Sequence, residues 1–582
     1  MATGPVILGI NGPYHESSAA IVRDGEIVAF AEEERFNRRK HAKSALVSNA
    51  DELPLQAIEH CLAVAGVSGR DIDYVAYPFA PDRRKLASRD HTTPGSWGTE
   101  DGEAQFLGLV EGTRARVSEL LGRDLDDRFV WVPHEWAHAA SAFYPSPFDE
   151  AAVLSVDGIG ESSTALLAHG AGTELRPLAE LEYPTSIGFL WEKLAKFIGL
   201  SEYDAPKMMA LAAFGEAPAP YHEALARLLD EVDGELCVDN EVLRFRVEDY
   251  SDLERMFGRP RRPRGELPDG RDAALANALQ RRTEWALLRL IDRVVTETGS
   301  RNLCLAGGVA LNCVAMGRIA AEAGFDGLFV QPVAHDGGTA FGAALHLAHS
   351  SLEAPRGPAM RHAYWGPEFD EAACRSALAG SGLAYEKVGD IARVTAELIA
   401  GGAIVGWFQG RAEAGPRALG NRSILGDPRR SGTKETINLK AKHREYYRPF
   451  APAVIEEAID EWFDVPMESM SLNFMSLALA ARPDKRPLIP ACLHVDGTSR
   501  VQRVSAATNQ RFHRLISAFG AVTGVPVLLN TSFNGPTEPI VFTPEHAVAT
   551  FLGSHLDYLV LGDLLVRRPE PVLDRQAETG RP

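Results

Sequence analysis

The chain has 582 residues, of which 45% are hydrophobic and 24% charged, so it is long enough for more than one domain with its own core. Its formal net charge of -19 disfavours nucleic acid as a main partner, because DNA- and RNA-binding surfaces need cations to neutralise phosphates. Six scattered cysteines without a CxxC pair, no leader-like N-terminus and no long apolar run predict a cytoplasmic protein that neither forms disulfides nor spans a membrane.

The first predicted element is a β-hairpin that occurs twice. Residues 6–27 read VILGINGPYHESSAAIVRDGEI, and residues 153–172 read VLSVDGIGESSTALLAHGAG. Each has an apolar strand, a glycine turn, a Glu-Ser-Ser step and a second apolar strand, which predicts a duplicated unit rather than two unrelated hairpins. The glycine turns have room for phosphate beside their backbone N–H groups, as in actin-like and sugar-kinase ATPases. Candidate nucleotide contacts are Asp157, Gly158 and Gly160.

A polar segment at residues 86–104 contains Pro, Gly and Trp and predicts a long exposed loop, either a plain surface loop or a cover over a substrate. Later segments have apolar residues at helical spacing: WEKLAKFIGL, KMMALAAFG and AALANALQRRTEWALLRLIDRVVTETG. The last of these ends at Gly299, a residue type that commonly follows the C-terminus of a helix.

The segment HEWAH, residues 134–138, has helix-forming composition and is followed by a strand that ends at Asp157. Four residues make slightly more than one helical turn, so His134 and His138 would project from one face and could hold a metal ion. Spacing alone also fits an ordinary surface pair. Asp157, and Asp336 in QPVAHDGGTAFG, add oxygen ligands, and this mixed set of ligands suits Zn or Fe(II).

Two glycine pairs follow adjacent predicted strands. NLCLAGGVALNC, residues 302–313, runs from a strand through Gly307 and Gly308 to Asn312 and then into a predicted helix. The next strand ends in AHDGG, which contains Asp336. Since α/β proteins bind ligands beyond the carboxyl ends of their strands, Gly307, Gly308 and Asn312 are candidate adenosine contacts.

A domain boundary is predicted near residues 350–366, where Pro and Gly follow a helix. The remaining chain places many cations beside glycines and aromatic residues, which favours a buried anion pocket over a solvated basic face. Its candidate residues are Arg417, Lys442, Arg444, Arg448, Arg500, Asn530, Ser532 and Asn534.

Motifs in order along nearly the whole chain resemble the O-carbamoyltransferase family of nodulation-factor and antibiotic-tailoring enzymes. They read ILGINGPYHESSAAIV with AEEERFNRRKH, HEWAHAASAFYPSPF, VDGIGES, LAGGVALN, HDGGTAFGAAL, GRAEAGPRALGNRSIL and LNTSFN. The resemblance implies an α/β protein with two domains. Residues 1–350 would form a duplicated actin-like domain similar to threonylcarbamoyl transferases, and residues 366–582 a YrdC-like domain.

The resemblance also implies a reaction. The C-terminal anion pocket would bind carbamoyl phosphate and ATP with Mg and form carbamoyl adenylate. The N-terminal domain would transfer the carbamoyl group to a small-molecule alcohol, such as an antibiotic. Its metal, held by His134, His138, Asp157 and Asp336, would be Fe(II), with Zn or Mn as alternatives. His15 would be the general base and Lys40 would hold the carbamoyl adenylate.

Three other functions compete with this interpretation. A tRNA threonylcarbamoyl-modifying enzyme would share the HxxxH motif and the hairpins but would need a nucleic-acid surface. A sugar kinase would have little use for HEWAH or for a second, arginine-lined domain. A non-catalytic nucleotide-binding regulator would bind ATP without consuming it.

Overall fold

The computed structural model describes residues 4–84 and 96–569 of the chain. Within these ranges, none of the helices has the length and apolar character that crossing a lipid bilayer requires.

The N-terminal part contains two five-stranded sheets that share one topology. In each, three antiparallel strands are followed by two parallel ones, in the spatial orders β3-β2-β1-β4-β5 and β8-β7-β6-β11-β12. The two sheets therefore repeat one unit, as the duplicated hairpin predicts. The strands are β1 (Val6–Asn11), β2 (Ser18–Arg23), β3 (Glu26–Glu32), β4 (Tyr74–Tyr77), β5 (Phe129–Trp131), β6 (Glu150–Val156), β7 (Ser163–Ala171), β8 (Glu174–Glu182), the small hairpin β9 (Leu229–Val232) and β10 (Glu235–Val238), then β11 (Asn302–Ala306) and β12 (Gly327–Val330).

Thirteen α-helices accompany these strands in the described part of the chain before residue 350. They are α1 (Glu34–Asn37), α2 (Leu55–Ala65), α3 (Pro81–Arg84), α4 (Glu100–Leu121), α5 (His134–Phe143), α6 (Ile187–Phe197), α7 (Ala205–Ala212), α8 (Ala219–Leu228), α9 (Asn240–Leu243), α10 (Ser251–Phe257), α11 (Gly270–Thr298), α12 (Cys313–Glu322) and α13 (Thr339–His346).

Helices α5 and α13 contact each other between the two sheets, α13 against β1 and β2 and α5 against β6, β7 and β11. Small residues permit this close packing. A Cβ atom on Gly342 of α13 would lie 2.0 Å from the carbonyl oxygen of Ala137 in α5, and one on Gly9 of β1 would lie 1.9 Å from that of Ala340 in α13. This close packing on the two sheets fixes the positions of the N-terminal ends of α5 and α13.

The C-terminal part is built on one mixed sheet of eight strands in the order β13-β22-β21-β14-β15-β20-β16-β19. Its strands are β13 (Tyr385–Lys387), β14 (Val405–Phe408), β15 (Arg422–Gly426), β16 (Ala451–Ile455), β17 (Ala478–Ala480), β18 (Thr498–Arg500), β19 (Gln502–Val504), β20 (Val527–Ser532), β21 (Tyr558–Leu561) and β22 (Leu564–Arg567), with β17 and β18 in a separate pair.

Helices cover both faces of this sheet. Trp407 of β14 is buried with α15 and α18, whereas the next residue, Phe408, is buried with α14 and α19. This alternation follows from the period of two along a strand. The helices are α14 (Glu371–Ala379), α15 (Ile391–Ala400), α16 (Ser431–Thr436), α17 (Ile459–Trp462), α18 (Gln510–Thr523) and α19 (Pro544–Gly553).

The helices predicted from apolar periodicity are confirmed in α6, α7 and α11, and Gly299 follows α11 in the left-handed conformation. The predicted loop at 86–104 is wrong from Glu100 onward, where α4 begins. Thr99 caps this helix by accepting a hydrogen bond from the backbone N–H of Gly102. Three acidic residues in the first turn favour a helix N-terminus. Residues 86–95 lie outside the described residues.

Candidate active site

Four side chains with metal-binding atoms meet where α5 and α13 begin. His134 and His138 lie on α5, Asp157 directly follows β6, and Asp336 lies in the short turn before α13. The two Nε2 atoms are 3.2 Å apart and lie 3.5 and 3.2 Å from Oδ2 of Asp157. Both are 3.7 Å from Oδ1 of Asp336. The structure thus brings together the four residues that the sequence predicts as metal ligands. We refer to these four side chains as the metal cluster.

The surroundings of the two imidazoles fit a cation. Nδ1 of His134 lies 3.1 Å from the carbonyl oxygen of Pro78, so it carries the ring proton and leaves the Nε2 lone pair facing the cluster. Nε2 of His138 lies 3.2 Å from that atom, so a cation between these two nitrogens and the two carboxylates would be held by all four side chains. Two nitrogens and two carboxylate oxygens form a set of ligands that Fe(II), Zn and Mn accept.

Protons compete with a metal for this cluster. Burial lowers the pKa of His138, but its hydrogen bonds with Asp157 and Asp336 outweigh that effect and raise the pKa to about 9. Burial and the charge of Asp336 raise the pKa of Asp157, yet the hydrogen bonds with both histidines hold it well below its usual range. In the absence of a metal the cluster therefore holds a proton at neutral pH.

His15 lies in the turn between β1 and β2, which faces the equivalent turn between β6 and β7. The hydroxyl of Tyr14 donates to the carbonyl oxygen of Gly160 at 2.6 Å and ties the two turns together. Nδ1 of His15 is 3.9 Å from Oδ2 of Asp336, and the side chain is 30% exposed. His15 therefore lies beside the metal cluster and is open to solvent, where an imidazole can accept a proton from an incoming group.

A strained segment lies next to His15. Glu16, His41 and Ala42 all have positive φ angles of 53°, 65° and 62°, which side-chain-bearing residues rarely adopt. The Glu16 carboxylate is 2.5 Å from Nδ1 of His41, and the ring of Tyr203 stacks on His41 at 4.5 Å. The Glu-Ser-Ser repeat points to Glu16, but no local pattern in the sequence indicates its contact with His41 or the stacking of Tyr203.

Lys40 lies between this segment and the C-terminal part. The side chain of Lys40 is exposed, yet partial desolvation of its ammonium group lowers the pKa, and the nearby Arg448 lowers it further. Glu34, Asp204 and Glu16 act in the opposite direction. Lys40 is thus close both to the hairpin that carries His15 and to a cation of the predicted anion pocket.

The glycines predicted to contact a nucleotide lie around Asp157. Gly307 has a φ of 85°, and a Cβ atom there would lie 2.2 Å from the carbonyl oxygen of Val156, so only glycine fits. The backbone N–H of Gly308 donates to Oδ1 of Asp157 at 3.0 Å. Asn312 caps α12, and its side-chain amide also bonds to Gln280.

Gly158 and Gly160 follow Asp157 in the turn between β6 and β7. A Cβ atom on Gly158 would meet the ring of Phe189 at 3.5 Å, and one on Gly160 would lie 2.8 Å from Cβ of His134. Gly160 therefore lets the second hairpin turn pack against His134.

The predicted cations of the C-terminal part gather at the end of β20. The Nζ atom of Lys442 donates to Oγ of Ser532 at 3.0 Å and also contacts Oδ1 of Asn534. Burial lowers the pKa of Lys442 well below its usual range, and the nearby Arg444 and Arg448 lower it further. A cluster of cations with lowered pKa values is stabilised by an anion, which makes this a candidate phosphate pocket.

Arg417 and Arg500 extend the cluster toward the N-terminal part. Burial and the nearby Arg500 lower the pKa of Arg417 to about 9, at which the guanidinium is still charged at neutral pH. The guanidinium of Arg500 lies close to Cys313, which begins α12 directly after Asn312. The side-chain amide of Asn530 donates to the carbonyl oxygen of Ala418, next to Arg417. The cation cluster therefore adjoins the glycine loop predicted to contact adenosine.

A second group of metal-ligand type, formed by Glu16, Glu32 and His335, lies close to the first. Its atoms already have partners. Glu32 accepts from Arg35 at 3.0 Å and from the backbone N–H of Gly415 at 3.1 Å, while Nδ1 of His335 accepts from Gly337 at 3.0 Å. We interpret this group as a buried hydrogen-bond network that joins the two parts of the chain.

Family models account for most of the chain. The carbamoyltransferase N-terminus model matches residues 6–90 and 103–345, and the carbamoyltransferase C-terminus model matches residues 396–568. Together they cover both the metal cluster and the cation cluster.

Curated relatives agree with this assignment. The nodulation protein NolNO of Sinorhizobium fredii is 38% identical over 95% of this chain and 79% of its own length. The 3'-hydroxymethylcephem-O-carbamoyltransferase of Amycolatopsis lactamdurans is 30% identical over 80% of this chain and 85% of its own. Among solved structures, full-length HypF in its phosphate- and nucleotide-bound form matches with a TM-score of 0.34 and 15% identity, over 60% of this chain and 47% of that one.

The protein is thus an enzyme of the transferase class. It belongs to the carbamoyltransferase family.

Proposed function

We propose that the protein is an ATP-dependent O-carbamoyltransferase that activates carbamoyl phosphate at the C-terminal cation cluster and transfers the carbamoyl group at the N-terminal metal cluster. One observation carries this proposal: Lys40 lies near Arg448 of the cation cluster and near Glu16, which directly follows His15 beside the metal cluster. An intermediate formed at the cations then has a short path to His15.

In the first step, carbamoyl phosphate would be hydrolysed to carbamate and phosphate. The carbamate oxygen would attack the α-phosphorus of Mg-bound ATP, giving carbamoyl adenylate and pyrophosphate. Both substrates are polyanions, and buried guanidinium groups bind phosphate through paired hydrogen bonds and offset the charge that develops during transfer. The groups proposed to act here are Arg417, Lys442, Arg444, Arg448, Arg500, Asn530, Ser532 and Asn534.

In the second step, the acceptor hydroxyl would attack the carbamoyl carbonyl and expel AMP. His15, which is partly exposed beside the metal cluster, would accept the hydroxyl proton. Gly307, Gly308 and Asn312 would surround the adenosine, and Lys40 would hold the adenylate. A metal ion bound by His134, His138, Asp157 and Asp336 would polarise the carbamoyl carbonyl as a Lewis acid, and Fe(II) is our proposed ion.

We further propose that the two related N-terminal sheets form an actin-like domain within residues 1–350 and that residues 366–582 form a YrdC-like domain. The repeated strand order and the location of both phosphate hairpins at the ends of β1 and β6 support the first assignment. The proposed acceptor is an alcohol group of a natural product, because one relative is named as a 3'-hydroxymethylcephem-O-carbamoyltransferase.

The test is mass spectrometry of the purified protein with ATP and carbamoyl phosphate, first without and then with candidate alcohols. The proposal expects carbamoyl adenylate and pyrophosphate in the absence of an alcohol, and AMP with a carbamoylated product in its presence. ATP that is bound but not consumed would favour a nucleotide-binding regulator instead.

A further inference from the structure

Two loops of the C-terminal part each carry one residue of the anion pocket, and both loops are held by the N-terminal segment 32–38. One loop, residues 413–422, carries Arg417. The other, residues 533–541, carries Asn534, which contacts Lys442. The residues that hold these loops lie within the stretch matched by the N-terminal family model.

The first contact involves Arg35 of the one-turn helix α1. Its Nη2 atom donates to the carbonyl oxygen of Gly415 at 2.7 Å, two residues before Arg417. Glu32 accepts from both Arg35 and the backbone N–H of Gly415. Arg35 and Glu32 together therefore bond both the carbonyl oxygen and the N–H of Gly415. Arg35 and Glu32 are each buried, with side chains 3% exposed.

The second contact involves Arg38. Its Nη1 and Nη2 atoms donate to the carbonyl oxygens of Ile540 and Pro539 at 2.9 and 2.8 Å. The planar fork of a guanidinium suits two adjacent carbonyls, and a lysine could satisfy only one of them at a time. The neighbouring Phe36 packs edge-on against Phe542 at 4.8 Å.

The loop that Arg38 holds is closed on itself and leads to Lys442. The backbone N–H of Val541 donates to the carbonyl oxygen of Phe533 at 2.9 Å. The side-chain amide of Asn534 donates to the carbonyl oxygen of Glu538 at 2.6 Å. A displacement at residues 539 and 540 therefore moves Asn534 and, with it, a partner of the Lys442 ammonium.

The backbone supports a dedicated role for Arg38. It has a φ of 58°, in the left-handed region that favours glycine. Arg38 is the C-cap of α1, with its backbone N–H bonded to the carbonyl oxygen of Glu34, and this turn directs its guanidinium to the C-terminal part.

We propose that Arg38 is a positioning residue of the anion pocket: from the N-terminal part, it fixes the 533–541 loop and so the Asn534 contact that orients Lys442. This inference rests on the proposed function of the pocket. It adds that the activating step depends on a residue outside the C-terminal part.

The matched control is Arg39, the next residue in the chain. Its side chain is 58% exposed and pairs with Glu52, also of the N-terminal part, at 3.4 Å. Arg38→Ala and Arg39→Ala remove the same group and the same charge, so long-range electrostatic effects are nearly equal and only the contact with the loop differs.

The experiment compares wild type, Arg38→Ala and Arg39→Ala by pyrophosphate binding in titration calorimetry and by steady-state formation of carbamoyl adenylate without acceptor. Because a displacement of about 1 Å in a binding group can cost up to about 100-fold, we expect Arg38→Ala to weaken pyrophosphate binding and raise the KM for carbamoyl phosphate by about tenfold or more. Arg39→Ala should match wild type, and Arg38→Lys should be intermediate.

Melting temperatures measured without ligand separate positioning from folding. If Arg38→Ala does not fold, the pair Arg38→Lys and Arg39→Lys decides the matter. Equal pyrophosphate affinity in the Arg38 and Arg39 variants, or no pyrophosphate binding by wild type, overturns the inference. A wild-type protein that binds pyrophosphate but makes no carbamoyl adenylate contradicts the proposed function and leaves the positioning role to be judged by the binding data.

Discussion

Lys442 Nζ donates to Ser532 Oγ at 3.0 Å, and this contact joins the segment after α16 to the end of β20. Its ammonium is buried among other cations, and burial, Arg444 and Arg448 all lower its pKa. Few buried groups are held in so unfavourable an electrostatic environment without a ligand to compensate. Lys442 is therefore the first residue to test in the pocket.

We expect Lys442→Met, which keeps the length of the side chain but removes its charge, to reduce carbamoyl adenylate formation by about 100-fold or more, because a preorganised cation at a developing charge contributes on that scale. Pyrophosphate release measures the rate. Lys387→Met is the control, since Lys387 is 57% exposed and pairs with Glu371. An unchanged rate in Lys442→Met would place the activating site elsewhere.

His15→Ala separates the two proposed steps. Because His15 lies 3.9 Å from Asp336, beside the metal cluster, its loss should abolish transfer to an alcohol while carbamoyl adenylate formation continues. Mass spectrometry of both products from one reaction measures this. His222→Ala, an exposed position on α8, should leave both steps unchanged. Equal loss of both steps in His15→Ala would remove the base assignment.

The part of the site that could be predicted from the sequence is the part encoded by short-range patterns. The HEWAH spacing places two histidines on one helical face, and strand ends place Asp157 and Asp336 opposite them. The repeated Glu-Ser-Ser register predicts two sheets of one topology, and the structure has them.

The contacts that join the two parts of the chain could not be predicted in this way. Arg35 meets Gly415 and Arg38 meets Ile540 across hundreds of residues, and no local periodicity encodes such pairs. The missed helix α4 is a different case. The sequence contains both its capping threonine and its acidic first turn, but Pro94, Gly95 and Trp97 directly before them are typical of a loop.

Metal binding should release protons. Although burial lowers the pKa of His138, its hydrogen bonds with Asp157 and Asp336 raise it to about 9, so a metal must displace a proton at neutral pH. Since the pKa of His134 is raised as well, the apparent affinity for Fe(II) or Zn(II) should rise by about tenfold or more per pH unit below about pH 8. Calorimetry in buffers of different ionisation enthalpy counts the protons. Affinity that does not change with pH would contradict the arrangement, and His138→Ala should lose the metal.

The raised pKa of His138 also predicts how the stability of the metal-free protein changes with pH. The pKa of His138 in the folded, metal-free protein lies above its unfolded value, so the protonated imidazole stabilises the fold below about pH 6.5 and this stabilisation is lost as the pH rises through about 9. We expect the melting temperature of the metal-free protein to fall across that interval. The metal-loaded protein should not show this dependence, because the metal replaces the proton.

The packing that brings Asp336 to the histidines can be tested at Gly9. A Cβ atom there would lie 1.9 Å from the carbonyl oxygen of Ala340, so Gly9→Ala must push α13 away from β1. Overpacking of this kind costs about 1–3 kcal/mol in the free energy of unfolding. Since Asp336 immediately precedes α13, metal affinity should fall as well.

Gly108→Ala is the control, because it should change the free energy of unfolding in the opposite direction. Gly108 lies exposed within α4, with no atom within 4 Å of an added Cβ, so Gly108→Ala should stabilise the protein by about 0.5–1 kcal/mol through helix propensity. Denaturant unfolding measures both variants, and metal titration then separates them. A Gly9→Ala protein as stable as wild type, with full metal affinity, would mean that α13 is free to shift without moving Asp336, and the close contact of β1 with α13 would then play no part in assembling the metal cluster.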